Sequence, residues 1–318
     1  MTRLILFLRN RFHPLFYLRQ FTVFQRATRL LDVPIAIHFK EVSHPVFVSF
    51  SKNLGWVLSG GASGEEGERE NFIWLIKAGG FRRFLDVGAN IGLYGFIFGS
   101  VANNGTVTMM EPDDSNAKLI RKTILASKLS VTLVEAAASD ESRTLTFYQD
   151  DLTGATGSLV RSAEDSFIAL HHHRAPAVVS VRAVTLDEFY PSESPDFIKI
   201  DVEGAELKVL RGGEAMLSRS HPALMFECDQ DQEAVRVFLH QLGYMFFDME
   251  SLAAIDAIPH NCLALHHVNH AAIISAIGSR QQVTQPESSS DILPTLLTST
   301  CSVAYGDTTI ALVPQSHS

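Results

Sequence analysis

Short, continuous apolar runs alternate with longer stretches whose apolar positions recur every three or four residues. RFLDVG (83–88), GTVTMMEP (105–112) and VTLVEAA (131–137) are runs of the first kind, the second closed by Pro112. Between them, IGLYGFIFGSVA (91–102) and DDSNAKLIRKTILASKL (113–129) carry the helical period, the latter opened by a capping signal. Strands that are apolar throughout, in β-α-β-α-β order, predict a parallel sheet covered on both faces. The order resumes with DFIKIDVEG (196–204) as a strand, AELKVLRGGEAMLSR (205–219) as a helix, PALMFEC (222–228) as a strand and DQEAVRVFLHQLG (231–243) as a helix. YMFFDM (244–249) and CLALHH (262–267) read as the last strands.

Outside this alternation the pattern is weaker. PIAIHF (34–39) and HPVFVSF (44–50) predict two short strands, and Phe72, Ile73, Leu75 and Ile76 mark a helix over 66–78 that Gly79 and Gly80 stop. TLTFYQ (144–149) and VVSVRAVTL (178–186) have strand character, and GATGSLVRS (154–162) reads as a loop. His171, His172 and His173 fall in this irregular middle; three adjacent side chains cannot all face one ion, so an exposed loop is expected there. Beyond about residue 275 the chain turns to Ser, Thr, Gln and Pro and is expected to be disordered. The resulting division is an N-terminal segment with short strands (1–64), a main domain (65–270) and a tail (271–318).

Composition adds boundaries to this picture. An apolar share of 46% supplies a core, and three scattered cysteines give neither a disulfide framework nor a zinc site. A net charge of −9 opposes a main role in gripping nucleic acid. Residues 1–33 nevertheless carry six arginines against one aspartate, interleaved with aromatic residues. Such a segment either lies on an anionic membrane surface or packs on its own domain with its arginines snorkelling. Arginines and Pro14 interrupt it before it reaches the length of a spanning helix or a secretory core, so a cytoplasmic protein, with or without peripheral membrane contact, is expected.

The candidate chemistry sits at the ends of the apolar runs. Asp86, Gly88, Gly92 and Gly95 mark the first strand-to-helix turn, where an open α/β sheet binds its ligand. The spacing is not the dinucleotide fingerprint, and an acid there suits a ligand bearing an ammonium group better than a pyrophosphate. Glu111, at the end of the next strand, can accept hydrogen bonds from both hydroxyls of a ribose. In IKIDVEGAE (198–206), Lys199, Asp201 and Glu203 alternate with apolar residues and share one side of a strand end. They are candidates for substrate contact or proton handling, or else a local ion pair that fixes the loop.

Taken in this order, FLDVGANIGLYG, VTMMEPDDSNAKLIRKTI, VEAAASDE, VRAVTLDEF and PDFIKIDVEGAELKVLRGGEAML followed by PALMFE resemble the FkbM-type family of S-adenosylmethionine-dependent methyltransferases, over roughly residues 65–265. The resemblance implies a class I methyltransferase fold: a Rossmann-like, seven-stranded, mostly parallel sheet with its last strand antiparallel and helices on both faces. It implies S-adenosylmethionine as cofactor and a hydroxyl acceptor on a saccharide, glycolipid or other secondary metabolite. Asp86, Gly88, Asn90 and Gly92 would surround the methionine part of the cofactor, and Glu111 its ribose. Adenine would fall to backbone around Ala137 and Ala138, or to Asp140. Asp201 is then the expected base, assisted by Lys199 or Glu203; the scheme requires no metal, though some sugar methyltransferases use a divalent ion, to which Asp201 with Glu203 could supply oxygen ligands. A nicotinamide-dependent oxidoreductase lacks its fingerprint here, and a scaffold that has lost catalysis is at odds with the intact Asp86, Gly88, Glu111 and Asp201 region.

Overall fold

The computed structural model describes residues 32–53, 56–57, 65–150, 154–160 and 176–284. The basic N-terminal segment, except its last residues, the histidine triplet and the chain beyond 284 lie outside the described residues. Among those described, no helix is long and apolar enough to cross a membrane.

The main sheet is built on β3 (Arg83–Val87), β4 (Thr106–Met110), β5 (Ser130–Val134), β9 (Phe197–Ile200) and β10 (Ala223–Glu227), all parallel in the spatial order β10-β9-β3-β4-β5. Beyond β10 the sheet continues with β13 (Asn261–His266), antiparallel to it, then β11 (Tyr244–Asp248) and the two-residue edge β12 (Ala254–Ile255). Seven full strands, the last in sequence antiparallel, match the class I expectation, and β12 adds a short eighth.

Alternation along these strands sorts the core into two layers. Phe84, Met109, Phe197, Met225 and Leu263 face one side, where α1 (Glu66–Gly79), α2 (Leu93–Val101), α3 (Asp114–Ala126) and α8 (Ala271–Thr284) pack. Leu85, Met110, Ile198, Ile200 and Phe226 face the other, against α5 (Glu206–Arg211), α6 (Glu214–Ser220) and α7 (Gln232–Gln241). Asn71 anchors α1 to the strand ends through bonds from Nδ2 to the carbonyls of Met249 and Glu250.

Three features depart from the pattern-based expectation. The helix expected over 205–219 is two helices, broken at Gly212 and Gly213. A Cβ on Gly212 would stand 2.0 Å from the Ser139 carbonyl oxygen, so the backbone passes too close to the strand side for a side chain. β6 (Ala137–Ala138), β7 (Thr144–Gln149) and β8 (Ala177–Val184) leave the main sheet and form a separate three-stranded one, β6-β8-β7. The tail assigned to 271–318 begins with helix α8, because Ile273 and Ile277, one turn apart, bury against the core.

The antiparallel hairpin of β1 (Pro34–Ile37) and β2 (Val46–Ser49) is no separate unit. Val46 and Val48 are fully buried in the same core layer as α3, and the Phe47 amide donates to Thr123 Oγ1 at 2.9 Å. The division at 64/65 separates segments of chain, not cores.

Candidate active site

The carboxyl ends of β3, β4 and β9 converge, and the glycine of the first turn explains how. Gly88 has φ +76°, and a Cβ there would meet the Asp201 carbonyl oxygen at 1.8 Å, so only glycine lets the two strand tips meet. The amides of Gly88 and Ala89 both donate to the Met110 carbonyl at 3.0 Å, which locks the turn onto β4. Asn90 follows at φ +56°, turned so that its amide donates to Glu111.

Glu111 is almost wholly buried. Oε2 accepts from the Asn90 amide at 2.7 Å and Oε1 from the Asp113 amide at 2.8 Å. Each oxygen keeps a free lone pair, so the carboxylate is fixed in place yet able to accept two further bonds. Burial pushes its pKa up to about 8 against the pull of those two amides. Asp86 lies beneath the start of α2. Its Oδ2 accepts from the Gly95 amide at 3.0 Å and its Oδ1 has no partner; burial takes it to about 6, with the Lys199 charge pulling the other way. The side-chain oxygen of Asn90 is likewise buried without a partner.

On β9, Lys199 is paired in register with Asp86 and donates from Nζ to Asp201 Oδ2 at 2.7 Å, while lying 4.9 Å above the Tyr94 ring. Burial opposes its charge, but Asp201 and Asp86 outweigh that and take it to about 12. Glu203 stands at φ +56°, its carbonyl held by Ser158 Oγ at 2.7 Å; burial, then the Asp201 charge, push its carboxyl to about 8.

Asn90, Glu111, Asp201 and Glu203 help to wall one cleft, with about 540 Å³ of atom-free space counting the part open to solvent. Gly88, Asn90 and Glu111 form one side, Asp201 and Glu203 the next, and Ala137 and Ala138 a third. Pairing in register and strand alternation put Asp86, Lys199 and Glu111 on the same face of the sheet, and side chains do not fill the space beside Glu111. Asp86, Gly92, Gly95, Asp140 and Lys199, all singled out in the sequence, stand apart from the cleft wall. Asp86 is one layer below and Lys199 behind Asp201. Gly92 caps α2 at φ +82°, where an added Cβ would meet Phe96 and Met109. Asp140 is exposed and accepts from Ser139 Oγ, which leaves the backbone around Ala137 and Ala138 to face a base.

The fourth wall was not legible in the sequence. It consists of Asp113, Asn116 and Phe147 with the turn from Gly154 to Leu159. Asn116 Nδ2 donates to the Gly154 carbonyl at 2.8 Å and Gln149 Nε2 to Asp113 Oδ2 at 2.8 Å, tying the turn to the start of α3. The glycines at 154 and 157 were the signal: Gly154 has φ +68°, and Gly157 is pressed on the Phe147 ring.

The arrangement fits an adenosine compound with a cationic amino-acid end. Unpartnered, buried acceptors on Asp86 and Asn90 call for donors, and Glu111 offers a two-oxygen rest for a diol. The model of the methyltransferase FkbM domain matches residues 86–246. Among solved structures, the chain is similar to methyltransferase FkbM from Methylobacillus flagellatus KT at 18% identity, covering 58% of this chain and 44% of that one with a TM-score of 0.40. It thus spans less than half of that protein's length. A putative caffeoyl-CoA O-methyltransferase from Staphylococcus aureus is similar at 12% identity over 67% of this chain and 90% of that one, TM-score 0.38. A methyltransferase from Geobacter sulfurreducens is similar at 11% over 68% and 87%, TM-score 0.36. Likenesses this distant add nothing to the family match, and no curated protein matches. The family match covers just over half of the chain, from the acid of the first turn through β11, and on it the chain belongs to the FkbM family of S-adenosylmethionine-dependent methyltransferases.

Proposed function

We propose that the protein transfers a methyl group from S-adenosylmethionine to a hydroxyl oxygen of a saccharide, glycolipid or other secondary metabolite. The observation that carries this reading is the joint presence, in one cleft, of Glu111, fixed to receive a diol at the tip of β4, and of two acids, Asp201 and Glu203, beyond the tip of β9 on the other side of β3.

The bound cofactor supplies an activated methyl group, so the protein's task is to hold and to manage a proton. Glu111 holds the ribose; Asn90 accepts from the amino-acid end, with the Asp86 charge beneath it; backbone around Ala137 and Ala138 faces the base. Asp201 takes the proton of the acceptor hydroxyl. Lys199 orients it through the 2.7 Å bond, and with a pKa of about 12 it stays charged throughout, so the carboxylate is presented in one rotamer. Glu203, at about 8, holds a proton at neutral pH in the free protein and can donate to the acceptor. Alignment of acceptor and donor by such groups supplies about 7–11 kcal/mol of barrier reduction.

Two measurements test this in turn. Calorimetry with S-adenosylhomocysteine should give saturable binding and calorimetry with NAD none. Labelled methyl transfer to a panel of saccharides, glycolipids and polyketides should mark one class of hydroxyl, seen by mass spectrometry as the gain of one methylene. Methylation confined to nitrogen or carbon acceptors refutes the oxygen assignment.

A further inference from the structure

A second cluster of donor atoms lies at the same end of the sheet, outside the cofactor cleft. β10 ends in Glu227, and Asp229 follows two positions later. His260 precedes β13, whose first residue, Asn261, is paired with Glu227. The Cys228 amide donates to the His260 carbonyl at 2.8 Å, so a backbone bond sets His260 against the segment that carries both acids. Glu227 Oε1 lies 2.7 Å from His260 Nε2, and Asp229 Oδ1 lies 2.7 Å from Nδ1.

We propose that Glu227, Asp229 and His260 form a binding site for one divalent transition-metal ion. Three arguments support it. One ligand atom from each residue falls within 4.8 Å of the other two. Ligands at about 2.0–2.2 Å from one ion stand up to about 4.4 Å apart, so an ion enters when one of the two acids leaves its ring nitrogen and turns to the side of the other. A mixed set of one imidazole nitrogen and two carboxylate oxygens suits a transition-metal ion, of which Mn²⁺ is the probe that paramagnetic resonance reads, better than Ca²⁺, which takes oxygen alone.

Charge is the third argument. The charges of Asp201, Glu65 and Lys199 reach Glu227, while that of Glu68, bonded to Asn261, reaches His260. Lys199 is committed to Asp201, so the set keeps a surplus of negative charge. The cofactor cleft does not include these groups. Pairing of Phe226 with Ile200 puts Glu227 beside Asp201, on the same face. An ion there would keep open positions toward the acceptor side of the proposed base, a place suited to hydroxyl oxygens.

The competing account is an ionic clamp in which the His260 imidazolium alone serves as the cation between two acids. Mn²⁺ titrated into the full chain and followed by electron paramagnetic resonance separates the two. Expected is one bound ion per chain, with H260A, E227Q and D229N each weakening it by about tenfold or more and the distant D114N leaving it unchanged. Melting curves of the variants verify that they fold. Binding that is weak and without fixed stoichiometry, or that D114N lowers as much as H260A, overturns the site in favour of the clamp. S-adenosylhomocysteine calorimetry on the same samples reports on the cofactor cleft alone, so a failure there is read separately from the ion count.

Discussion

Glu111 joins two properties that pull against each other: its oxygens are anchored by the Asn90 and Asp113 amides, yet it is buried deeply enough to sit at about 8. Glu111→Ala should weaken S-adenosylhomocysteine binding more than tenfold with the fold intact, because two hydrogen bonds to a charged acceptor are lost. Unchanged affinity by calorimetry would remove the ribose from this position. The same burial predicts a pH dependence. Glu111 and Glu203 stand above the ordinary 4.5, at about 8 each, so between these values the folded protein binds more protons than the unfolded chain. Their contribution is full below 4.5 and is lost as pH rises through 8, so the free protein's melting temperature should fall across that window. A ribose that donates to Glu111 favours its ionised form, so cofactor affinity should rise with pH up to about 8 and then level off. Calorimetry in buffers of different ionisation enthalpy should register the released proton; affinity independent of pH between 6 and 8 would contradict the account.

At the scale of elements, the first turn and the last helix carry distinct loads. Gly88→Ala demands a Cβ where the Asp201 carbonyl stands and a φ that alanine disfavours, so it should part β3 from β9 at their tips. The expected outcome is loss of cofactor binding together with a lowered melting temperature, whereas a variant that melts like the wild type would mean the turn has slack. On α8, Ile277→Ala should cost about 2–5 kcal/mol in urea unfolding, because the side chain is 2% exposed within the core layer. These two elements also mark what a sequence discloses. The strands β3, β4, β9 and β10 were legible because both their faces are buried, which forces continuous apolar runs. Asp86 and Glu111 were legible because each ends such a run beside a turn residue. Helix α8 was hidden because its isoleucines stand among Ser, Gly, Gln and Arg at the edge of a Ser- and Thr-rich stretch, while Ile273 and Ile277 find their partners in the distant core layer. The cleft wall at Asn116 and Gly154, and the meeting of Glu227 with His260, depend on contacts between distant segments that no local period encodes.

At the scale of the whole molecule, the N-terminal hairpin is joined to the main core by charge as well as by Val46 and Val48. Arg69 of α1 is 1% exposed, and its Nε lies 3.2 Å from Oε1 of Glu41, whose side chain is 4% exposed. Taking two charges this far from water costs nearly what their attraction returns, so the pair adds little net stability, but Arg69 left alone is an uncompensated buried charge, and Glu41 left alone keeps only the exposed Lys40 Nζ at 4.0 Å. Arg69→Met or Glu41→Leu alone should therefore destabilise by about 3–5 kcal/mol. The double variant should recover most of that loss, since two apolar side chains replace the pair in a layer already built of Phe39, Val42 and Phe72. Denaturant unfolding of the four proteins closes the cycle. Recovery means that the pair fixes where the hairpin sits against α1 rather than holding the molecule together. A double variant as unstable as the worse single one would show instead that the ion pair itself is what binds the hairpin to the sheet's helical layer, and that the two do not fold as one unit without it.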